Sequence, residues 1–432
     1  PADYTAMTEQ VSSLKEDLEV LNQGGLNLKD EVIGKNVTDW LDEHPEATTT
    51  VQNGSLTEAK ISPTFLMYIK KDYVTPEMFG AVGDGVTDDY NALQSWINSY
   101  RYKLLPLKTY CTSKMLTVNK SQKIEGAYRD FSIIKMIGNE NYILNIKSIN
   151  TVVDNITFDC NNLYGGIAIK DFETDDTRIT GSIIRNCAVR NIGANSIGML
   201  LDCANGYNYF DNNSFRCSKN GCDTFLKIGD TYGGTYQGIK LSINYVYVTR
   251  CVFNWNANEN DGTGIKMKNA SYIWVDGCDI SNNANIKKYA VDIEDSKNIQ
   301  ITRTTLYNCA NGLKMDRTSS SESGSGLIID GCEIKQHDTV EGMICDINPS
   351  NIASMFDISF KNNVMGLKHS NRSLKFSNIN SGFIFKDNHF GNNNVNLYEH
   401  TTLINTTPKN SILVFPSCRF TVIYDETENA YT

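Results

Sequence analysis

One short pattern recurs along most of the chain and restricts the possible folds more than any other feature. It consists of two alternating apolar residues, a two-residue interval, a Cys or Asn, and a final apolar residue two positions later. Nine copies follow one another at a mean spacing of 29 residues. A period of roughly 20–50 residues is the signature of a solenoid, in which each turn packs only on its neighbours. The copies end at Phe158, Val189, Phe215, Phe253, Ile280, Leu306, Ile334, Met365 and Phe390.

Each copy predicts two short strands joined by a sharp bend. The bend often ends in Asn or Gly, which adopt the left-handed backbone conformation at little cost. These residues are Asn155, Asn186, Asn212, Gly277, Gly331 and Asn362. One position of the repeat holds Cys or Asn, so stacked turns should form inner columns of like residues. The Cys members are Cys187, Cys251, Cys278 and Cys332, and the Asn members are Asn213, Asn363 and Asn388.

The cysteine spacing favours buried thiols over metal ligation or a disulfide scaffold. The chain has 12 Cys and no C-x-x-C, and the two nearest, Cys217 and Cys222, are separated by four residues. Zinc ligands are usually more closely paired, and disulfide scaffolds belong to much shorter chains. No metal and no other cofactor is predicted.

A third strand follows each pair of strands, and its outward residues form two columns. The strands read "GIAIK", "GMLLD", "FLKIG", "GIKMK", "AVDIE", "GLKMD", "GMICD" and "SLKFS". Because side chains alternate along a strand, the apolar residues face inward and the residue between them faces outward. The predicted first column is Ala168, Leu200, Lys227, Lys266, Asp292, Lys314, Ile344 and Lys375. The residue after each strand gives a second column of Lys170, Asp202, Gly229, Lys268, Glu294, Asp316 and Asp346.

The charged middle of this face contains the candidate catalytic residues Asp292, Glu294 and Asp316. Neighbouring turns lie about 4.8 Å apart, so the carboxyl groups of Glu294 and Asp316 should repel and one should hold its proton near neutral pH. Asp292 lies between Lys266 and Lys314 and should stay ionised. An acid beside a carboxylate is what glycoside hydrolysis requires. The alternative is a Lys/Asp ladder that only neutralises a solvated sheet face.

Loops and lysines around this face supply candidate substrate-binding residues. The segment 230–245 carries Tyr232 and Tyr236, whose rings and hydroxyls suit contact with sugars, and the next loop brings Trp255. The alternative for the tyrosine loop is packing against a neighbouring subunit. The full predicted set is Lys227, Tyr232, Tyr236, Trp255, Lys266, Lys268, Lys314 and Arg317. A lyase that uses Lys266 or Lys314 as base, with Arg317 nearby, remains open.

Charge and hydropathy exclude two classes of partner. The formal net charge is −10, which argues against nucleic acid and anionic membranes. No stretch of about 18 apolar residues predicts a membrane span.

The N-terminal segment predicts a helix. Its apolar residues alternate at spacings of three and four, which is the seam of a coiled coil, and Gly24-Gly25 ends the pattern. We interpret residues 1–25 as an oligomerisation stalk and residues 26–75 as a neck or adaptor. An amphipathic helix packed on its own chain is the alternative. The seam residues are Tyr4, Met7, Val11, Leu14, Leu18 and Leu21.

The stretch "PEMFGAVGDGVTDDYNALQSWI" (76–97) combines tight turns with a short helix. Gly80, Gly83 and Gly85 favour turns, and Thr87, Asp88 and Asp89 favour a helix start. Leu93, Trp96, Ile97 and Tyr100 then follow at helical spacing. A phosphate loop would need Gly-Lys-Ser/Thr, and a calcium loop would need alternating carboxylates, so neither is predicted.

This stretch resembles the motif with which the pectate-lyase-like superfamily begins, especially in phage tailspike depolymerases. Tyr90 stands where that motif usually has Thr. The resemblance implies an all-β, right-handed parallel β-helix, a single-stranded solenoid of about ten coils. It implies that residues 76–110 hold the starting motif and a capping helix, and that the solenoid spans 111–432. It also implies a structural role for Asp84, Asp88 and Asp89.

The resemblance leaves activity open, because the superfamily includes lyases, hydrolases, transferases and plain binders. The chain lacks the catalytic motif set of polygalacturonases. We expect a virion-associated, homotrimeric phage tail protein that binds a bacterial surface polysaccharide and cleaves it, most simply by hydrolysis. Its N-terminus would contact other tail or baseplate proteins. The alternatives are a non-catalytic receptor-binding spike, a polysaccharide lyase and a structural adaptor.

Overall fold

The repeat folds into a solenoid whose turns contribute strands to three long sheets. The structure, a computed structural model, places the solenoid in the unit Val74–Thr432. It describes residues 73–99, 102–170, 179–203, 206–217, 221–229, 235–236, 239–240, 243–254, 262–281, 288–316, 326–336, 343, 345–347, 355–367, 374–377, 379–392, 401–404, 412–413, 424–425 and 430–431.

The first sheet contains 13 strands in the described part of the chain, in chain order across the sheet. Its inward residues, such as Phe210 and Phe360, are fully buried in the solenoid. The strands are Tyr73–Val74, Tyr102–Leu105, Lys123–Gly126, Val152–Asp154, Ile183–Arg185, Asn208–Asp211, Ile243–Thr249, Ala270–Asp276, Lys297–Thr302, Leu327–Asp330, Ile358–Lys361, Ile384–Lys386 and Ile412–Leu413.

The second sheet contains 12 described strands and carries the end of every repeat copy. All nine predicted end residues, from Phe158 to Phe390, pair in unbroken register from turn to turn. The predicted repeat is therefore confirmed, and the sheet also has earlier turns that the pattern missed. The strands are Asp84–Asp88, Thr109–Thr112, Ile133–Met136, Thr157–Asp159, Ala188–Ile192, Ser214–Cys217, Val252–Asn254, Asp279–Ser281, Thr305–Cys309, Glu333–Gln336, Val364–Leu367 and His389–Asn392.

The third sheet is parallel except at its C-terminal edge, where Ala430–Tyr431 runs antiparallel to Thr401–Ile404. Its strands are Leu116–Val118, Tyr142–Ile146, Gly165–Ile169, Ile197–Leu201, Thr224–Ile228, Thr263–Lys268, Tyr289–Glu294, Asn311–Asp316, Cys345–Ile347, Leu374–Ser377, Thr401–Ile404, Tyr424–Asp425 and Ala430–Tyr431. Two small sheets pair Thr235–Tyr236 with Ile239–Lys240 and Met355–Phe356 with Ile379–Ser381.

The bend between the first and second sheets has the left-handed residue that the sequence predicts. All six predicted Asn and Gly residues have φ between 52° and 64°. Two other turns place Arg250 and Arg303 at this position, with φ of 52° and 48°. Each arginine pairs with an Asp of the preceding strand, Asp211 and Asp276 respectively.

The inner column of Cys and Asn also forms as predicted, and its polar members satisfy the backbone at the bend. Asn363 Oδ1 accepts from the Cys332 amide at 2.9 Å, and its Nδ2 donates to the Ile329 carbonyl at 3.0 Å. Thr304 takes the same place two turns earlier and accepts from the Cys278 amide. The described cysteines are buried, and burial raises the pKa of the Cys187 thiol to about 12.

The starting motif closes one end of the solenoid. Gly80, Gly83 and Gly85 have φ of 94°, 66° and 79°, and an α-helix spans Tyr90–Asn98 after a 3-10 helix at Pro76–Phe79. Between turns and helix the structure adds the strand Asp84–Asp88, which the sequence did not predict. The Gln94 side chain bonds both the amide and the carbonyl of Thr117, so the helix covers an edge of the third sheet.

The aspartates of this motif hold the backbone. Asp89 precedes the helix, but its carboxylate turns back to accept from the amides of Val82 and Gly83 at 2.7 and 3.1 Å. Asp88 accepts instead from the first helical amide, that of Tyr90, and from Ser113. Asp84 binds the amides of Val86 and Thr87.

The all-β parallel solenoid is thus confirmed. The predicted stalk (1–25) lies outside the described residues, as does the neck (26–75) up to residue 72. Among the residues that are described, no helix is long and apolar enough to cross a membrane.

Candidate functional site

The outward face of the third sheet carries the predicted charged column over its middle turns. Lys227, Lys266, Asp292 and Lys314 pair with one another in successive strands. Between them, the inward residues such as Ile265 and Ile293 are fully buried. The period-2 alternation of apolar and charged residues therefore positions these side chains on one face, as the sequence predicts.

The column changes at the next turn, where the sequence prediction was wrong. The partner of Lys314 is Asp346, not Ile344, and Asp346 in turn pairs with Lys375. The alternation of the segment 343–347 is as predicted, but its register is shifted by two residues, because Cys345 and Ile347, rather than Met343 and Cys345, pair with the buried Leu313 and Met315. Asp346 therefore leaves the second column, where the sequence placed it, and joins the first.

The second column keeps Lys268, Glu294 and Asp316 in register. Glu294 and Asp316 are thus direct neighbours, with Cα atoms about 5 Å apart. The predicted triad is brought together on one surface, because Asp292 lies two residues before Glu294 on the same strand.

Lysines compensate the carboxylates of this face. Lys268 Nζ lies 2.6 Å from Glu294 Oε1, and Lys266 Nζ lies 3.6 Å from Asp292 Oδ2 and 4.0 Å from Glu294 Oε2. Lys314 Nζ lies 3.7 Å from Asp316 Oδ2. The Asp316 side chain is 13% exposed, so its carboxylate is held close to the sheet.

Asp346 is the residue of this face that sequence reasoning placed in the wrong column. Its Oδ1 is buried and has no hydrogen-bond partner among the described residues. Burial raises the pKa of the Asp346 carboxyl, and the Asp316 carboxylate adds to this, whereas Lys375 and Lys314 act in the opposite direction. The Asp346 carboxyl therefore has a higher pKa than an ordinary Asp and keeps its proton to a higher pH.

Tyr289 borders the same cluster, and the sequence gave no signal for it beyond its place before a strand. Lys314 Nζ lies 5.9 Å from the centre of its ring. Burial, with added repulsion from Asp346, Asp292 and Asp316, raises the pKa of the Tyr289 phenol to about 12. The phenol is therefore a neutral hydrogen-bond donor next to the carboxyl groups.

The N-terminal end of the face is apolar, as the sequence predicts. Tyr142, Ala168 and Leu200 form a buried cluster against Met115 and Ile197. In the second column Lys170 Nζ binds Asp202 Oδ2 at 2.6 Å. Charge is thus concentrated in the middle and C-terminal turns.

Four predicted substrate-binding residues cannot be placed on this face. Tyr232, Trp255 and Arg317 lie outside the described residues, and only the backbone of Tyr236 is described. Among the described residues, no group of three or more His, Cys, Asp or Glu is arranged to hold a metal ion.

The register sets the distances available for acid–base chemistry. Asp346 pairs with Lys314, two residues before Asp316, so the Cα atoms of Asp316 and Asp346 lie diagonally about 8 Å apart. Carboxyl groups about 6.5–9.5 Å apart suit an inverting glycosidase, in which one donates a proton and the other activates water. The cluster has the two carboxyl groups on neighbouring turns that this division of roles requires.

Sequence comparison relates the chain to phage tail proteins. Residues 218–364 match the family described as "Right handed beta helix region". The pre-neck appendage protein of Bacillus phage B103 is 24% identical over 284 residues, which are 61% of this chain and 29% of that protein. The capsule K30/K69-specific depolymerase of Klebsiella phage K64-1 is 67% identical over 33 residues, 8% of this chain and 4% of that protein. The chain thus spans less than a third of the length of either relative.

Among solved structures, the enzymatically active domain of tailspike protein 2 from bacteriophage CBA120 matches 78% of this chain and 47% of its own. The TM-score is 0.45 and the identity is 13%. Together with the repeat and the three sheets, the family match supports a right-handed β-helix, and the sequence relatives are phage proteins. The relatives are phage tail and appendage proteins, which supports the predicted location in the virion tail.

Proposed function

We propose that this chain is a homotrimeric phage tail protein that binds a bacterial surface polysaccharide through the charged face of the third sheet and cleaves it by glycoside hydrolysis. The observation that carries the proposal is the Asp346 carboxyl group, whose Oδ1 is buried without a partner among the described residues, on the turn next to Asp316. One relative is named as a capsule-specific depolymerase, which supports a capsular polysaccharide as the substrate class.

In this mechanism Asp346 donates a proton to the glycosidic oxygen and Asp316 activates a water molecule. The raised pKa of Asp346 suits the acid, and a carboxylate beside Lys314 suits the base. Asp292 and Glu294 complete the predicted catalytic set and hold Lys266 and Lys268 in place. Lys227, Lys266, Lys268 and Lys314 bind acidic sugars, and the loops with Tyr232, Tyr236, Trp255 and Arg317 add contacts.

The test is cleavage of purified capsular polysaccharides, beginning with Klebsiella K30 and K69 capsules. New reducing ends and absorbance at 232 nm are recorded together, and binding is measured on the same samples. Reducing ends without absorbance indicate hydrolysis, whereas rising absorbance indicates elimination and moves the catalytic role to the lysines. Binding of a polysaccharide without cleavage contradicts the enzyme.

Single variants then assign the roles. Asp316→Asn and Asp346→Asn should each lower kcat by about 10²- to 10⁴-fold, the usual effect of losing a general acid or base. Asp292→Asn and Glu294→Gln test the remaining predicted residues. Glu333→Gln is the control, because Glu333 pairs with Lys335 on the second sheet and should leave kcat unchanged.

A non-catalytic receptor-binding spike is the second candidate function. The ion pairs at Glu294 and Asp292 favour it, because a compensated ladder of charges binds without supplying a proton. This function predicts that charge-reversing variants at Lys266 and Lys314 weaken polysaccharide binding. It also predicts that neither the wild-type protein nor any variant cleaves the polysaccharide.

A further inference from the structure

The first sheet carries a long apolar stripe on its outward side. One residue from each of nine successive strands pairs with the next, and its neighbours along each strand face the interior. Seven of the nine are apolar or aromatic, which is unusual for the solvent side of a sheet. The stripe consists of Val152, Ile183, Tyr209, Tyr247, Trp274, Gln300, Ile328, Ser359 and Ile384, of which Ser359 is buried and the other eight are at least partly exposed.

Aromatic rings widen the stripe at its centre. Tyr209, Tyr247 and Trp274 stack with ring centres 4.7 and 4.6 Å apart and planes 6° and 7° from parallel. A second row stacks beside them, Tyr207 on Tyr245 and Tyr245 on Tyr272, each pair at 5.0 Å. Because each ring covers its neighbour's face, the array presents ring edges and hydroxyls outward.

The second row occupies a backbone position that does not suit tyrosine. Tyr207, Tyr245 and Tyr272 have φ of 62°, 56° and 56°, where neighbouring turns have Gly181, Asn298 and other small residues. A bulky residue in the left-handed region costs roughly 1–2 kcal/mol. Small residues in the neighbouring turns avoid this cost, so the fold itself does not require tyrosine at this position. We therefore attribute the three rings to a role at the protein surface. Two of these rings are exposed to solvent in the single chain, Tyr207 at 56% and Tyr272 at 40%.

The composition around the stripe is that of a protein interface. Arg250 and Arg303 lie at its margin, each paired with an aspartate, so the margin is close to neutral. Protein interfaces are enriched in Tyr, Trp and Arg and depleted in Lys, Asp and Glu at their centres. The third sheet has the opposite composition, and covering its lysines and carboxylates would carry a large desolvation cost.

The length of the stripe indicates which kind of partner would cover it. Eight intervals of about 4.8 Å give about 40 Å, and outward residues across the sheet add a width of about 13 Å. A partner surface of equal area laid over this stripe gives a contact of at least about 1,000 Å² in total, the lower bound for a stable interface. A sugar would need only a local site, whereas another solenoid with the same turn spacing matches the stripe along its whole length. The heptad pattern of residues 4–21 also predicts that identical chains associate.

We propose that the apolar stripe of the first sheet and its aromatic array bind a second copy of this chain, so that solenoids lie side by side and leave the charged third-sheet faces outward. This contact surface extends the homotrimer proposed above. Its test measures assembly alone and is decided whether or not a polysaccharide binds.

The experiment is sedimentation equilibrium of the full chain and of the double variant Tyr247→Ser with Trp274→Gln. Ser and Gln already occur in this stripe at other turns, so the fold should tolerate both. We expect an oligomeric wild-type protein and an association that is weakened at least about tenfold in the variant, because aromatic anchors dominate interface energies. Tyr307→Gln, at a 48% exposed tyrosine of the second sheet, is the matched control and should assemble normally.

Because the stalk predicted from the sequence of residues 1–25 could hold copies together by itself, hydroxyl-radical labelling of Tyr207 and Tyr272 gives a second readout. We expect both tyrosines to be protected in the wild-type oligomer and labelled in the variant. The proposal is overturned by a monomeric wild-type protein, by strong labelling of both tyrosines in the wild-type oligomer, or by a variant that assembles normally.

Discussion

At the scale of single residues, the position of Asp346 shows how one ambiguous strand can conceal a site. In the segment "GMICDI" (342–347), Met343, Cys345 and Ile347 share one face, but either Met343 and Cys345 or Cys345 and Ile347 can pair with the two inward residues of the preceding strand, a difference of two residues in register. Only the pairing of Cys345 with Leu313 and of Ile347 with Met315 decides between them. The charged partners of Asp346 were predictable, but its place among them was not.

Asp346→Asn should stabilise the protein at neutral pH. The folded state raises the pKa of this carboxyl, so the wild-type protein loses stability as pH rises through the folded pKa. Asn cannot ionise, so the variant should gain on the order of 1 kcal/mol above that pH, comparable to an unsatisfied buried group. Below the pKa of the unfolded chain, about 3.9, the gain should vanish.

Urea unfolding of both proteins across this pH range measures the difference. Asp387→Asn is the control, because Asp387 is exposed and Asn also tolerates its φ of 57°. A variant that is less stable than the wild type at neutral pH would show that the ionised carboxylate has a stabilising partner.

Asp89 offers a second test at this scale, of the structural role implied by the starting motif. Asp89→Ala should cost about 2 kcal/mol, because the buried carboxylate accepts from two backbone amides. Asp84→Ala should cost less, since Asp84 is exposed. Thermal unfolding compares the two, and equal losses would contradict the assigned roles.

At the scale of elements, the bend between the first and second sheets shows why so much of the fold was predictable. A repeated bend needs a left-handed residue and a buried group that satisfies the next amide, and these needs recur every turn at a fixed place. Asn362 and Asn363 meet them in one turn, with Asn362 at φ 54° and Asn363 bonded to Cys332 and Ile329. The residues that the interior of the bend requires can therefore be predicted from a single sequence.

Side chains that face outward need not be of the same type from turn to turn, which is why the sequence did not predict the aromatic array. Tyr207, Tyr245 and Tyr272 stand 38 and 27 residues apart in the sequence, and they occupy a turn position where Gly or Asn is expected. Their stacking follows from the register of three strands and from nothing in the local pattern. The candidate site was predictable only where charges coincide with the apolar alternation.

Asn363→Ala should destabilise the solenoid by roughly 2–3 kcal/mol. The change leaves the Cys332 amide and the Ile329 carbonyl without their partners inside the core. Asn362→Gly, one residue earlier, should be nearly neutral, because Gly adopts the left-handed conformation readily. Chemical unfolding of the two variants separates a buried polar role from a conformational one, and equal effects would refute this account.

At the scale of the whole molecule, the solenoid divides its surface between two kinds of contact. The third sheet carries charge that favours solvent and acidic polymers, and the first sheet carries aromatic rings that favour burial. Since both faces run along the same axis, side-by-side assembly would present several charged faces to one polysaccharide chain. Binding and assembly are then separable functions of different sheets.

This separation predicts a specific loss in the variant Tyr247→Ser with Trp274→Gln. Its affinity for a short oligosaccharide of the bound polymer should equal that of the wild type, because the third sheet is untouched. Its affinity for the intact polymer should fall by about 10²-fold or more, since multivalent attachment requires several linked sites. Calorimetry with the oligosaccharide and surface binding to the polymer measure the two affinities. Lys266→Glu with Lys314→Glu should weaken both while assembly is unchanged, and equal losses for both ligands in the aromatic variant would place the sugar site on the first sheet.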